Sequence, residues 1–306
     1  MKMVLETKEA RPYRNIDASQ CPGCPSNLAT KLVMEIVFQL AEQRGDQPIV
    51  FGQGCGIGRD IMHRSGIGTH DSGCVGIRAA MEMRGIDRPL VVIDGDGQID
   101  MGFDDFSGAF QYGAPYMHII CDNQSYAASG THATGMTDMF ARVSTRPSGR
   151  VGGPNGRVNP RKQPAMMIRY SGARYAATAS PAHIRDFERK ILQGLDNMPS
   201  FIQVFTPCTL SWGYNDSDSY EITKLGIDCG IWPLWEWSDD GFRRTVRFDA
   251  DEMPEKLRAY VGMQRRYAHL TDDDVAAMER YILDLNAQID QMQAAFPGKA
   301  RAGAAS

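Results

Sequence analysis

A short acidic signal set between two apolar runs constrains this chain more than anything else in it. Gly95-Asp96-Gly97 follows the run Pro89-Leu-Val-Val-Ile93, and Asp122-Asn123 closes a second run, Met117-His-Ile-Ile-Cys121, 24 residues (98–121) after Gly97. Each run predicts a buried strand of a parallel sheet. Between them, Asp104 to Tyr112 has helix-compatible spacing and ends near Gly113. The unit is therefore strand–loop–helix–strand, with carboxylate and amide groups at both strand C-terminal ends, where parallel sheets bind ligands. Two glycines let the backbone come close to a phosphate, and Asp96 offers a hard anionic oxygen to a divalent metal.

The rest of the chain repeats this alternation. Residues 26–44 predict a helix with one wide apolar stripe (Leu28, Leu32, Val33, Ile36, Val37, Leu40). A strand is expected at 48–51, a Gly-rich turn at 52–58 and a helix from Ile77 to Met83. Strands are expected at 172–178 and 201–205, with a helix from Pro181 to Leu195 between them. The fold class is α/β: a doubly wound, mostly parallel sheet with helices on both faces. A C-terminal helical extension follows. Thr271 is a good N-cap, Asp272 to Asp274 suit the positive end of the helix dipole, and Val275, Met278, Ile282, Leu285, Ile289 and Met292 form an amphipathic face over about 272–295. The expected division is 1–240 for the ligand-binding domain and 241–306 for the extension. Residues 142–164 differ: Arg142, Arg146, Arg150, Arg157, Arg161 and Lys162 lie among Gly, Pro and Asn. This basic loop is either a solvated linker or a docking surface for an anionic cofactor or a partner subunit.

Several classes are excluded or disfavoured. A net charge of −4 leaves no nucleic-acid footprint. No run of 18 apolar residues marks a membrane span. Met1 to Glu9 lacks an apolar signal core, so a cytoplasmic location is expected. Seven cysteines, an odd number without a secretion signal, argue against a disulfide framework. Cys21-Pro-Gly-Cys24 is by itself ambiguous among zinc, a redox dithiol and an iron–sulfur cluster. Cys55 and Cys208 stand at loop positions after strands, and four thiolates gathered by the fold could hold a [4Fe–4S] cluster. Cys121 reads as a core residue, and Cys74 and Cys229 as structural thiols.

The spacing from Gly95-Asp96-Gly97 to Asn123 resembles the thiamine diphosphate motif. That resemblance implies a Mg2+ ion bridging Asp96, Asn123 and the cofactor's diphosphate, with a backbone carbonyl near Ser125 as third protein ligand. A wider set of segments resembles the thiamine-diphosphate-binding β subunit of the 2-oxoacid:acceptor oxidoreductases, the pyruvate:ferredoxin oxidoreductase group. They are CPGC at 21–24, GQGC at 52–55, GDGQIDMGFDDFSGA at 95–109, DNQSYAASG at 122–130, ARYAATAS at 173–180, FIQVFTPCTLSWG at 201–213 and CGIWPLWEW at 229–237. The resemblance implies the thiamine-diphosphate-binding fold and a [4Fe–4S] cluster on Cys21, Cys24, Cys55 and Cys208.

The resemblance further implies oxidative decarboxylation of a 2-oxoacid, electron transfer to the cluster, and passage of the acyl group to coenzyme A or another acceptor. The glutamate that activates the aminopyrimidine lies in that family on another domain, usually a separate α subunit, and has no counterpart here. An α subunit, a γ subunit and a ferredoxin-like δ subunit are the implied partners. His70 and Tyr126 are the candidate catalytic residues, and His132 flanks the same region. Pyruvate-type members carry Tyr-Met-Asn-Thr-Gly where this chain has Tyr126-Ala-Ala-Ser-Gly130, so Ala128 replaces an amide. That removes a hydrogen-bonding group and opens space, which predicts a 2-oxoacid bulkier than pyruvate, such as phenylglyoxylate. The competing classes are a non-redox thiamine decarboxylase, which has no use for the cysteines, and an iron–sulfur carrier, which leaves the acidic motif unexplained.

Overall fold

The computed structural model of the protein describes residues 21–45, 49–52, 89–111 and 115–298. All but Gly52 of the expected Gly-rich turn at 52–58, and the helix at 77–83, lie outside these residues. Helix α1 (Pro25–Arg44) begins with Pro25 in its first turn, where no N–H is missed. It ends at Gly45, whose left-handed φ of 67° lets its N–H reach Ala41 O. Strands β1 (Ile49–Gly52), β2 (Leu90–Gly95) and β3 (Tyr116–Asp122) follow. Between β2 and β3 a short helix that the spacing did not indicate, α2 (Gly97–Met101), comes first, and after Gly102 the helix expected from Asp104 to Tyr112 follows as α3 (Phe103–Gln111). Next come α4 (Pro164–Tyr170), β4 (Tyr175–Ala179), α5 (Ile184–Asp196) and β5 (Ser200–Phe205). The helix expected from Pro181 begins instead as a single 3-10 turn, Pro181–His183, capped by Ser180 Oγ.

The sheet order is β1-β2-β3-β5-β4-β6-β7. The first five are parallel neighbours, and β6 (Trp235–Ser238) and β7 (Gly241–Arg244) form an antiparallel hairpin on the β4 edge. That hairpin was not legible in the sequence, and it carries the sheet across position 240 into the residues assigned to the extension. Alternate side chains serve opposite faces, as strand geometry requires. Val91, Ile93, Met117, Ile119, Ile202 and Val204 pack under α1 and α5. Leu90, Val92, Tyr116, Ile120, Phe201 and Trp235 pack under α3 and α4 on the other face. Burial on both faces explains why the strands read as continuous apolar runs.

Beyond the sheet, α6 (Thr209–Trp212), α7 (Ser219–Asp228), α8 (Met253–Gly262) and α9 (Asp272–Ala295) enclose a third cluster around Trp212, Trp232 and Tyr260. Helix α9 starts on a reciprocal capping box of Thr271 and Asp274 and buries Val275, Met278, Ile282, Leu285 and Ile289, the face its periodicity indicated. Among the described residues no helix is long and apolar enough to cross a membrane.

A buried charge network joins α5 to the β4–β6–β7 edge. Glu236 on β6 accepts from Tyr175 Oη at 2.9 Å, Arg189 Nη1 at 2.5 Å and Arg243 Nη2 at 2.5 Å. Asp186 holds Arg189 and the fully buried Lys190, whose ammonium also donates to Thr178 O and Thr245 Oγ1. Desolvation outweighs the nearby carboxylates and pushes Lys190 down to about 8. Removing Glu236 leaves the buried Tyr175 hydroxyl without its acceptor and takes one of two carboxylates from the half-buried Arg189. Glu236→Ala is expected to lower the unfolding free energy by about 3 kcal/mol; chemical denaturation checks this, and a midpoint unchanged from the parent would contradict it.

Candidate functional site

The parallel pairing of β2 with β3 sets Gly95 beside Cys121, and β3 with β5 sets Asp122 beside Phe205. All three strands therefore end at one edge, and their following loops meet there. Asp96 sits at the N-terminus of α2 and is 2% exposed. Its Oδ2 is buried without a hydrogen-bond partner. Burial, reinforced by Asp122 and then Asp100, raises its pKa well above the ordinary carboxylate range, while the Ser125 N–H opposes the rise. A buried carboxylate with an orphan oxygen and two acidic neighbours is short of positive charge, and a divalent cation would supply it.

The facing loop is held tightly. Asn123 Oδ1 accepts from Ser125 N at 3.2 Å and Ser125 Oγ at 3.1 Å. Gln124 between them has a φ of 64°, a left-handed conformation uncommon for a residue with a side chain. Three groups hold that turn. Trp212 Nε1 donates to Asn123 O at 2.9 Å, Thr137 Oγ1 donates to Gln124 O at 2.7 Å, and Arg266 Nη1 donates to Gln124 Oε1 at 2.9 Å. The Arg266 guanidinium also stacks over Trp212, 3.4 Å from the ring centroid. Ser125 O already accepts from Ala127 N at 2.8 Å, and Ser125 Oγ lies 2.8 Å from Ser211 Oγ.

Asp122 lies beneath this loop and is fully buried. It accepts from Gln124 N at 2.9 Å and from Gln203 Nε2 at 2.6 Å. Desolvation still lifts its pKa to about 6, against the opposing pull of Arg161. Tyr126 is half-buried and bonded to Asp100; burial and the Asp100 and Asp96 charges raise its phenol. Its N–H donates to His132 O at 2.9 Å, and the His132 side chain is exposed.

The cysteines divide. Cys121 and Cys229 are buried; desolvation pushes Cys229 up to about 12, as an inert core thiol requires. Cys21, Cys24 and Cys208 are half-buried. Cys208 is the N-cap of α6, its sulfur accepting from Ser211 N at 3.4 Å. Burial raises Cys24 and Cys208 first; the mutual effects of Cys21, Cys24 and Cys208 add to the rise and place the three thiols in one neighbourhood. Soft thiolate donors suit iron–sulfur ligation. Among the described residues, however, no three Cys, His, Asp or Glu side chains close on a common metal position. Cys55, Cys74 and His70 lie outside the described residues.

Two arginines of the basic loop are not solvated. Arg146 and Arg161 turn inward and are 9% and 5% exposed. Arg161 donates to Ile231 O at 2.8 Å and lies 4.2 Å from the Trp232 ring centroid, and Arg146 donates to Asp138 O at 2.9 Å. Arg161 also reaches the site, where its charge draws on Asp122. Nothing in the Gly- and Pro-rich surroundings of these arginines signals burial: the acceptor of Arg161 is a backbone carbonyl 70 residues on, and that of Arg146 lies eight residues back, where the loop folds over it.

Folding the chain with Asp122 raised from 3.8 to about 6 costs stability as the pH rises through that window, because the native state holds the proton longer. The native carboxyl pKa is above the unfolded one, so this penalty is absent below pH 4 and complete above pH 6, amounting to about 3 kcal/mol. Asp122→Asn removes the titrating group. Its urea stability relative to the parent should rise between pH 4 and pH 7, and a difference that stays flat with pH would contradict this.

A model of the C-terminal thiamine pyrophosphate-binding domain of thiamine pyrophosphate enzymes matches residues 56–204. Pyruvate synthase subunit PorB of Methanocaldococcus jannaschii is 37% identical over 195 residues, 63% of this chain and 64% of that protein. The PorB subunit of Methanothermobacter marburgensis is 31% identical over 210 residues, 68% of this chain and 71% of its own length. The β subunit of the NADH-dependent phenylglyoxylate dehydrogenase of Aromatoleum evansii is 27% identical over 223 residues, 71% of this chain and 49% of that protein. The structure of 2-oxoglutarate:ferredoxin oxidoreductase from Magnetococcus marinus superposes with a TM-score of 0.55 at 14% identity, over 90% of this chain and 98% of that one, a likeness of fold.

Proposed function

The chain belongs to the family of thiamine-diphosphate-binding β subunits of the 2-oxoacid oxidoreductases, and from that membership we propose that it holds the diphosphate half of thiamine diphosphate in a multi-subunit 2-oxoacid:acceptor oxidoreductase. The observation that carries this reading is the orphan Oδ2 of buried Asp96, facing a loop whose Asn123 and Gln124 are held by Trp212 and Arg266.

Asp96, Asn123 and the Ser125 carbonyl are the residues proposed to hold Mg2+ against the diphosphate, with Gly95 and Gly97 leaving room for the phosphates. Cys21, Cys24 and Cys208, with Cys55, are proposed to ligate a [4Fe–4S] cluster. When bound, thiamine diphosphate supplies the electron sink for decarboxylation of the 2-oxoacid, and the cluster supplies a one-electron acceptor. The chain's own task is placement. The pinned 122–126 loop fixes the metal ligands, and the bonded Tyr126–Asp100 pair stands beside Asp96 where it can hold a proton. His70 is the second acid–base candidate. A separate α subunit is proposed to bring the missing glutamate, with γ and ferredoxin-like δ subunits completing a cytoplasmic complex and coenzyme A taking the acyl group.

The exposed Ala128 stands where pyruvate-type members have an asparagine, which supports a 2-oxoacid larger than pyruvate; the phenylglyoxylate relative is in keeping with that choice. Turnover of pyruvate and phenylglyoxylate by the assembled complex tests this, the expected result being at least about tenfold higher kcat/KM for the aryl acid. A pyruvate preference would overturn it.

Asp96→Asn is expected to weaken binding of Mg2+–thiamine diphosphate by at least about a hundredfold, read by calorimetry on the assembled complex. Cys208→Ser, purified without air, should lose the visible iron–sulfur absorbance and fall well below about four iron per chain. Full iron content in that variant would remove Cys208 from the ligand set.

A further inference from the structure

A cavity lies under the basic loop, about 1010 Å³ in volume. Four of its lining residues are cationic, Arg142, Arg146, Arg150 and Lys162, and no Asp or Glu is among the described lining residues. Two of these cations are anchored from behind, Arg150 by Asp274 and Lys162 by Asp100. The other two are not. Among the described residues no carboxylate lies within ion-pair distance of Arg142 or Arg146. The Arg146 side chain bonds only a backbone carbonyl, and its Nε has no partner.

Arg146 makes this arrangement costly. It is nine-tenths buried, and desolvation lowers the pKa of its guanidinium, an effect that Tyr267 and Asp138 only partly oppose. A buried guanidinium without a counter-ion favours any anion that can reach it. The wall opposite is made of turns at Gly152 and Gly153, with φ of 86° and 99°. A Cβ at either would meet nothing within 4 Å, so the space beside them is open. The loop is tied to itself by the Val143–Arg146 and Val151–Arg157 bridges.

We propose that this cavity is a binding site for the phosphoryl dianion of a small molecule, with Arg142 and Arg146 as its two uncompensated charges. Two guanidiniums without carboxylates match a double negative charge, and their planar donor forks match phosphate oxygens. The volume accommodates a nucleotide-sized ligand. The cavity is also wired to the thiamine site. Lys162 and Gly135 N both bond Asp100, which follows Asp96 on α2, and Thr137 bonds the Gln124 carbonyl. The ligand therefore sits beside the reacting centre. Its phosphoryl group comes either from free inorganic phosphate or from the phosphorylated tail of the acyl acceptor; the second source rests on the function proposed above.

The test uses the assembled complex saturated with Mg2+–thiamine diphosphate, so that the cofactor's own site is filled. Inorganic pyrophosphate and adenosine 3′,5′-bisphosphate are titrated calorimetrically at low and high NaCl. Arg142→Gln, on the exposed rim, is expected to weaken binding at least about tenfold, and Arg142→Lys by less. Arg146→Gln should do the same where it folds; Arg142→Gln keeps the test decisive where it does not. Tight binding of the bisphosphate assigns the acceptor's tail, and binding of pyrophosphate alone assigns free phosphate. Either supports the site. No binding of either probe, or equal binding by Arg142→Gln, overturns it. Release of CO2 from a 2-oxoacid without added acceptor tests the proposed reaction separately, so a failure of one is distinguishable from a failure of the other.

Discussion

Everything at this site depends on one constraint, the in-register parallel pairing of β2 with β3. With Gly95 opposite Cys121, the residues immediately after both strands are delivered to the same edge of the sheet. Parallel strands of unequal length would separate Asp96 from Asn123 by several ångströms per residue of slip. The register is held from both faces, because each strand is buried under α1 and α5 on one side and α3 and α4 on the other. A slip by one residue would exchange every side chain between those faces.

Placing carboxylates at that edge is unfavourable in the chain by itself. Asp96 and Asp122 are both desolvated, both raised in pKa, and close enough to oppose each other's ionisation. The surrounding guanidiniums offset part of the cost. Arg161 draws Asp122 down, and Arg161 and Arg266 lie 3.4 and 3.9 Å from the buried Asp138 carboxylate. Sheet edge, acidic loop and these guanidiniums thus form one electrostatic unit. The C-terminal residues belong to it as well, since Arg266, just after α8, grips Gln124 and covers Trp212.

Much of this was readable from the chain. The apolar runs around Gly95-Asp96-Gly97 and before Asp122 are buried strands because a doubly covered parallel sheet leaves no polar face to mark. The α9 cap and stripe were readable because both are local, Thr271 to Asp274 and a repeat of three to four residues. The β6–β7 hairpin was not, because its two four-residue strands are held by charged side chains, Glu236 with Arg243 and Arg244 with Asp290, that have no periodic signature. Arg266 and Trp212 were likewise missed. They lie 142 and 89 residues from the loop atoms they bond, and a lone arginine or tryptophan carries no trace of such a partner.

The acidic motif, its spacing to Asn123, the strands and helix around it and the segments shared with the family are all legible in the chain. These are properties of short windows, where burial and local capping leave a pattern of residue types. Tertiary structure alone decided which buried groups support the motif and where the basic loop turns. Arg161 became an interior charge rather than a solvated one because an acceptor at Ile231 was brought beneath it by the packing of distant segments, and Arg146 because the loop folds back onto Asp138. Whether a charge is exposed, paired or left short of a counter-ion is set by contacts between such segments, and no local pattern encodes it.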